Sequence, residues 1–385
     1  MKVSTRYVGL DVHKSTISVA VAEDGRGGEV RDHGVIENRA DVLMRLVERL
    51  GRGGQQLHFC YEAGPCGYGL YRLLSGVGHD CTVVAPSLIP KKAGDRVKTN
   101  RRDAAMLARL HRAGELTAVW VPDAAHEAMR DLVRARATAA RALGKARQHL
   151  TGFLLRHGQI YAGQRAWTVA YRRWLTTVRF AHPAQQIVLQ DYIHAVEDSE
   201  KRIARLVGQI EQLLGQWSMA PVVSAIQAMR GVAFTNAITI VAEIGDFSRF
   251  KNPRQLMAYI GLVPSEHSSG DSVRRGGITK SGNHQARRAL IEGAWTYRMQ
   301  ARISRKLHDR IADLPTGIRD IAWKAQLRLC TRYRRLIAAG KKSVVVTTAI
   351  AREMIGFIWA ITRQVQLQPA SSLARSPSAI RHVTN

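Results

Sequence analysis

Three acidic residues stand where a carboxylate has work beyond being solvated. Asp11 lies mid-strand in "VGLDVHK", with apolar neighbours on both sides. An ionised carboxylate buried there without a partner would be costly, so Asp11 either faces the open edge of a sheet or binds a cation. Glu62 ends the run "LHFCYEA" ahead of a Gly/Pro turn, and Asp103 opens a helical segment after "KTNRR". Acids at a strand centre, a strand end and a helix start can converge on one sheet edge although they are far apart in sequence. Oxygen-rich sites of this kind suit Mg²⁺, and two Mg²⁺ ions can clamp a phosphodiester in transit. Taken singly, Glu62 also reads as an ordinary strand-end acid, and Asp103 as a first-turn residue favoured by the helix dipole.

A second constellation is the polar stretch "EHSSGDSVRRGGITKSGNHQARR", residues 266–288. A serine hydroxyl that attacks phosphorus must lose its proton and needs cations to stabilise the developing charge. Ser265, Ser268, Ser269 and Ser272 offer the hydroxyl; Arg274, Arg275 and Lys280 follow closely, and Arg287 and Arg288 start the next helix. Gly270 would let the backbone approach a phosphate, and His267 is a candidate base. Arg249 and Lys251 are candidate phosphate positioners. An ordinary surface loop has the same Ser/Gly content, so the residues alone leave the nucleophile open.

The elements that must hold these groups follow from hydrophobic period. Residues 1–120 alternate strand and helix signals: "YVGLDVHKSTISVAVAED" reads as a hairpin, "EVRDHGVIEN" as a third strand and "ADVLMRLVERL" as a helix. "QLHFCYEA", "CTVVAP" and "TAVWVP" read as further strands, with helices at "YGLYRLLSGVG" and "DAAMLARLHRAG". This pattern predicts a mixed sheet with helices on its faces. From 124 the signal turns helical. Leu143, Ala146, Leu150 and Leu154 recur at three- and four-residue steps, and Val196, Ile203 and Ile210 recur every seven, predicting two long helices in a coiled-coil hairpin. Between them Trp167, Tyr171 and Trp174 sit at helical spacing, a stripe for packing or an interface rather than base stacking. Residues 220–365 read as helices with short loops, and "MRGVAFTNAITIVAEIG" resembles half of a helix-hairpin-helix, whose backbone N–H groups contact phosphate.

Composition bounds the partners. The chain has 385 residues and a formal charge of +28, with 58 Lys+Arg against 30 Asp+Glu. That excess favours a polyanionic partner but names no reaction. It is uneven: residues 1–115 hold 18 basic and 13 acidic side chains, residues 265–335 hold 16 and 6. Four cysteines without CxxC spacing argue against a zinc ribbon and for a reducing compartment. We expect no apolar run of about eighteen residues, no signal peptide, no membrane association and a cytoplasmic location.

"VGLDVHK", "YEAGPCGYG" and "KTNRRDAAMLARL" closely resemble the RuvC-like, RNase H-like N-terminal domain of DEDD-type transposases of the insertion sequence 110 family. "GVAFTN", "EIGDFSRF", "YIGLVP", the Ser-Gly pair and "ITKSGN" resemble that family's C-terminal transposase domain, in the same order. The resemblance covers roughly three quarters of the chain. It implies four metal-binding positions, Asp11, Glu62, Asn100 and Asp103, for Mg²⁺ with Mn²⁺ as a substitute. Asn100 departs from the family pattern by replacing a carboxylate with a neutral amide oxygen, which predicts weaker metal affinity. The resemblance further implies that Ser269, just before the glycine, is the nucleophile. It implies excision and insertion of the element's own DNA, a guide RNA encoded beside the gene, and a dimer or tetramer with composite sites. The expected organisation is an α/β RuvC-like domain at 1–123, a coiled-coil region at 124–218, a mainly α serine-bearing domain at 219–368 and a disordered tail at 369–385. Two other functions fit the same residues: a stand-alone Mg²⁺-dependent nuclease for branched DNA, and a non-catalytic nucleic-acid binder or inactivated transposase.

Overall fold

A computed structural model describes residues 4–25, 27–90, 99–269 and 272–365. Gly270, which the serine argument invokes, and the 369–385 tail lie outside them. The chain divides into two compact units, Met1–Val121 and Pro122–Asn385.

The first unit is built on a five-stranded sheet: β1 (Thr5–Val12), β2 (Thr16–Glu23), β3 (Val30–Glu37), β4 (Gln56–Glu62) and β5 (Asp80–Val84), in the order β3-β2-β1-β4-β5. The first three form an antiparallel meander, while β1, β4 and β5 run parallel. Helix α1 (Ala40–Gly51) joins β3 to β4, α2 (Gly69–Gly76) joins β4 to β5, and α3 (Asn100–Arg112) follows. Alternation along the strands sorts the two faces. Val8 and Leu10 of β1 join Leu43, Leu46 and Leu74 in one core, on the face covered by α1 and α2. The opposite face is made of small residues: Ala20 and Ala22 of β2 meet Ala104 and Ala108 of α3. At Gly9 a Cβ would collide with the backbone of Ala104 and Ala108, so only glycine lets α3 lie this close to β1. The predicted strand "TAVWVP" does not form. Ala118 makes one bridge to Val84, and Val119 N–H donates to the Val83 carbonyl at 2.8 Å, after which Asp123 caps the next helix. Too few residues remain between β5's edge and that cap for a ladder.

The second unit opens with α4 (Ala124–Arg156), followed by α5 (Val169–Leu175) and α6 (Pro183–Leu214). Arg147 of α4 meets Glu200 of α6 at 2.7 Å, while Phe153, further along α4, meets Tyr192, earlier in α6; the two helices therefore run antiparallel. Of the seven-residue repeat, Val196 and Ile210 are buried and Ile203 is half-buried. Trp167 is not part of a helical stripe: it precedes α5 with φ +67° and packs on Tyr171, beneath the Arg147 guanidinium. The rest is α7 (Ala220–Ile226), α8 (Phe234–Ile244), α9 (Pro253–Ile260), the short strands β6 (Pro264–Glu266) and β7 (Arg275–Ile278), α10 (His284–Ala294), α11 (Arg305–Ile311), α12 (Thr316–Ala338) and α13 (Ser343–Thr362). Contrary to the expectation from sequence, α13 is long and apolar enough to cross a membrane. It holds only Arg352 and Glu353 as charges, and its Ile350, Met354, Ile355, Ile358 and Ile361 sit in this unit's core, so it reads as a core helix.

Candidate active site

Asp11, Glu62, Asn100 and Asp103 line one open cleft of about 910 Å³ in the first unit, with His13, Lys14, Asn38 and Cys66 on its rim. The strand pleat explains the convergence. Asp11 is two residues beyond Gly9 and shares its face, the face that α3 covers. Glu62 is two residues beyond Cys60, whose Sγ meets the Leu107 carbonyl of α3, so it too points to that side. The helix starts at Asn100, three residues earlier than the sequence pattern suggests. Thr99 caps it, its Oγ1 accepting from Arg102 N–H at 3.3 Å. Asn100 and Asp103 then share one helix face at the cleft.

Asp11 Oδ2 lies 3.1 Å from His13 Nε2, and the Asp11 side chain is only 16% exposed. Asn38 donates to the His13 carbonyl at 2.7 Å, fixing the turn that carries the histidine. The four expected donors are carboxylate and amide oxygens, the hard set that Mg²⁺ prefers, and the His13 imidazole and Cys66 thiol also line the cleft. Among the described residues, no choice of one oxygen from each of the three carboxylates brings all three within 4.8 Å of one another. The cleft is an open site rather than a sequestered structural one.

In the second unit the serine stretch is a β-hairpin. β6 pairs antiparallel with β7, and Ser269 and Ser272 exchange both backbone hydrogen bonds at 3.1 Å. Ser268 Oγ donates to Glu266 Oε1 at 2.9 Å and Ser265 Oγ to the Gly277 carbonyl at 3.1 Å. Arg275 Nε pairs with Glu266 Oε2 at 3.2 Å, and the Ser268 hydrogen bond, with Arg275 after it, holds the Glu266 carboxyl below its usual range. Ser269 is exposed at the hairpin tip, as are Ser272, Arg274 and His267.

The motifs after the hairpin prove to be scaffolding as much as chemistry. Thr279 N–H and Lys280 N–H donate to the Val263 and Gly261 carbonyls at 2.9 and 3.1 Å, tying "ITKSGN" to "YIGLVP". A Cβ at Gly261 would strike the backbone of Ser281, and one at Gly282 the Tyr259 carbonyl, so both glycines are required for the close approach. Lys280 is exposed on this turn with φ +56°. Arg287 donates to the Ile260 and Ser281 carbonyls at 2.7 and 2.9 Å, which makes it a clamp between the turns. Arg249 stacks on Phe250 and Tyr259, each 4.4 Å from the ring centroid, and donates to the Ile244 and Asp246 carbonyls. Arg288 is exposed and paired with Glu292 at 2.7 Å, and Lys251 is exposed. Gly231, in the stretch read as a phosphate-binding turn, abuts the Gly293 carbonyl of α10 with no room for a Cβ.

Glu243, the first residue of "EIGD", escaped the residue-by-residue reading. Its side chain is fully buried and accepts both nitrogens of Arg134 at 2.8 Å, and Asn283 donates to it as well. Burial pushes this carboxyl up, but Arg134 and Asn283 outweigh it and leave the pKa below the usual range. Asn283 also caps α10, accepting from Gln285 and Ala286 N–H at 2.9 and 3.0 Å. A glutamate in an otherwise apolar helix was the available signal.

A family model for DEDD transposases, described as "Transposase", matches residues 8–158 of this chain. A second, described as "Transposase IS116/IS110/IS902 family", matches residues 223–309. The chain belongs to the IS110 family of transposases, enzymes that cut and rejoin DNA, and the DEDD model suggests use of a divalent metal. It is 52% identical to the putative transposase y4qE of Sinorhizobium fredii over 94% of this chain and 89% of that one. It is 30% identical to the transposase for insertion sequence element IS1533 of Leptospira borgpetersenii, over 87% of this chain and 98% of that one. A 24% identity extends to the pilin gene-inverting protein of Moraxella bovis, over 75% of this chain and 81% of that one.

Proposed function

We propose that this transposase holds Mg²⁺ through Asp11, Glu62, Asn100 and Asp103 and cleaves DNA with Ser269 as nucleophile. The observation that carries the reading is the convergence of those four side chains, from two strands and one helix, on one cleft. Bound there, Mg²⁺ would neutralise the charge of a phosphodiester and polarise its oxygens. The three carboxylates supply the negative charge for the ion, and Asn100 supplies a neutral oxygen. His13 restrains Asp11 by its 3.1 Å contact.

Ser269 is favoured over Ser265 and Ser268 because their hydroxyls are engaged as donors, and over Ser272 because it directly precedes Gly270 in the Ser-Gly pair. Its Oγ forms a bond to phosphorus while a sugar oxygen leaves, and the strand end stays joined to the protein. Arg274, exposed next to the hairpin tip, is the candidate for the phosphate oxygens at Ser269, while Lys280 at the hairpin's base, with Arg275, Arg288 and Lys251, would contact the strand further along. Arg249 and Arg287 act instead by fixing the turns. The strand order β3-β2-β1-β4-β5, with three antiparallel strands followed by two parallel ones, supports the RNase H-like reading of the first unit. The α4–α6 hairpin is the candidate coiled-coil contact between protomers of a dimer or tetramer. The net charge of +28 is compatible with a guide RNA as well as DNA.

The test is to incubate the chain with labelled element-end DNA and the flanking transcript, and to look for a denaturation-resistant adduct. Ser269→Ala is expected to abolish adduct and recombination, and Asp11→Ala to abolish cleavage. Full cleavage by Ser269→Ala would identify a metal nuclease instead. Salt-sensitive binding with no cleavage in Mg²⁺ or Mn²⁺ would identify an inactive binder. Mapping of the adduct to another residue would sink Ser269.

A further inference from the structure

His58, Asp80 and His111 meet on the α3-covered face of the sheet, away from the acid cleft. His58 precedes Glu62 by four residues on β4, about 13 Å of strand, and His111 follows Asp103 by eight on α3, about 12 Å of helix. The two groups are thus held at opposite ends of the same elements. We propose that His58, Asp80 and His111 form a second cation site, selective for a borderline transition-metal ion of the Zn²⁺ class.

One ligand atom from each residue lies within 4.8 Å of the other two, and the closest pair, His58 Nδ1 and Asp80 Oδ2, is 2.9 Å apart. Bonds of about 2.0–2.2 Å at tetrahedral angles set ligand atoms about 3.4 Å apart, so the His58–Asp80 pair opens slightly as the third ligand is drawn to the ion, changes within reach of side-chain rotation. The donor set decides the ion. Two imidazoles and one carboxylate suit Zn²⁺, Co²⁺ or Ni²⁺, whereas Mg²⁺ prefers the carboxylate and amide oxygens of the acid cleft.

Two further observations point to a ligand. His111 Nε2 is buried and has no hydrogen-bond partner among the described residues, an unsatisfied group that a metal bond would complete. Tyr7 walls the site: its ring stacks on His58 with centroids 5.6 Å apart and meets His111 edge-on at 5.5 Å, restraining both imidazoles. When His58 Nδ1 binds the ion, its ring proton moves to Nε2 and the contact to Asp80 is replaced by two metal bonds. The ion then joins α3, β4 and β5 at the end of the unit remote from Asp103. The site stands independently of the function proposed for the acid cleft.

Full-length protein, treated with chelator and dialysed, is titrated with ZnCl₂ and, separately, CoCl₂. The expected result is one equivalent bound, visible d–d bands from Co²⁺, and a rise in thermal midpoint with Zn²⁺. Asp80→Asn and His111→Gln each weaken binding at least about tenfold, while Asp11→Ala with Asp103→Ala leaves it unchanged. Asp80 is 60% exposed, so Asp80→Asn keeps the fold and decides the question if His111→Gln does not fold. Absence of stoichiometric binding, or binding undiminished by Asp80→Asn, overturns the site. Loss of binding in the Asp11/Asp103 variant alone would place the ion in the acid cleft and overturn it equally.

Discussion

Asn100 puts a neutral oxygen where its cleft partners put carboxylates, and metal affinity follows the charge count of the ligands. Asn100→Asp is therefore expected to lower the Mg²⁺ concentration for half-maximal cleavage by about tenfold, read from a Mg²⁺ titration on labelled DNA. An unchanged titration would remove Asn100 from the ligand set. Glu243 makes the opposite kind of prediction, on stability rather than metal. Removing one partner of a buried pair costs about 3–5 kcal/mol. Arg134 is 44% exposed and can turn to water, so Glu243→Gln should fall at the lower end, measured by denaturant unfolding. Asp11, Glu62 and Asp103 were legible as residues because carboxylates in or beside apolar runs stand out. Glu243 stands in an apolar run too, but its partners Arg134 and Asn283, 109 and 40 residues away, leave no local sign of its role. His58 and Asp80 were equally silent, since each is a polar residue near a strand start and only the parallel register of β4 and β5 pairs them.

At the level of elements, α3 is the part whose position matters most, and Gly9 sets it. Gly9→Ala would push α3 from β1, moving Asp103 away from Asp11. The expected outcome is a lowered thermal midpoint together with a raised Mg²⁺ requirement, whereas Gly27→Ala, whose Cβ meets nothing, should leave both unchanged. The five strands and the helices between them were readable from period and turn residues, because each carries its own apolar face. The lost strand at 117–122 shows the limit: its composition favours a strand, but the cap at Asp123 leaves no length for pairing. Trp167 shows another. Its spacing to Tyr171 fits a helix, yet Thr168 caps α5 and excludes it. The serine hairpin was readable as polar and Gly-rich but not as β6–β7, because its strands have three and four residues and no apolar alternation.

The whole molecule responds to salt and pH through charge. The logarithm of DNA affinity should fall linearly with log salt, and Arg274→Ala with Lys280→Ala should reduce that slope by about 2 if both contact phosphate. An unchanged slope in filter-binding assays would separate the hairpin from DNA. Acid should destabilise the second unit through His126. This side chain is buried, its Nε2 sits 2.9 Å from the Ala242 carbonyl and its ring packs against Trp217. Burial lowers its pKa; the Ala242 carbonyl opposes the shift, Arg130 adds to it, and Asp123 and Glu243 oppose it. Because the folded pKa is depressed, the unfolded chain binds the extra proton first. The stability is present above about pH 6.5 and is lost as pH falls from there towards the folded pKa. The thermal midpoint should drop between about pH 7.5 and about pH 5.5, and His126→Gln should flatten that drop. His126 and Arg134 both belong to α4, a single helix of 33 residues and so about 50 Å long. No proline or break interrupts it between the Glu243 contact and the aromatic cluster at its far end. One unbroken element thus carries both the Arg147–Trp167 contact and Arg134, and Glu243 and Asn283 join Arg134 to the turn that displays Lys280.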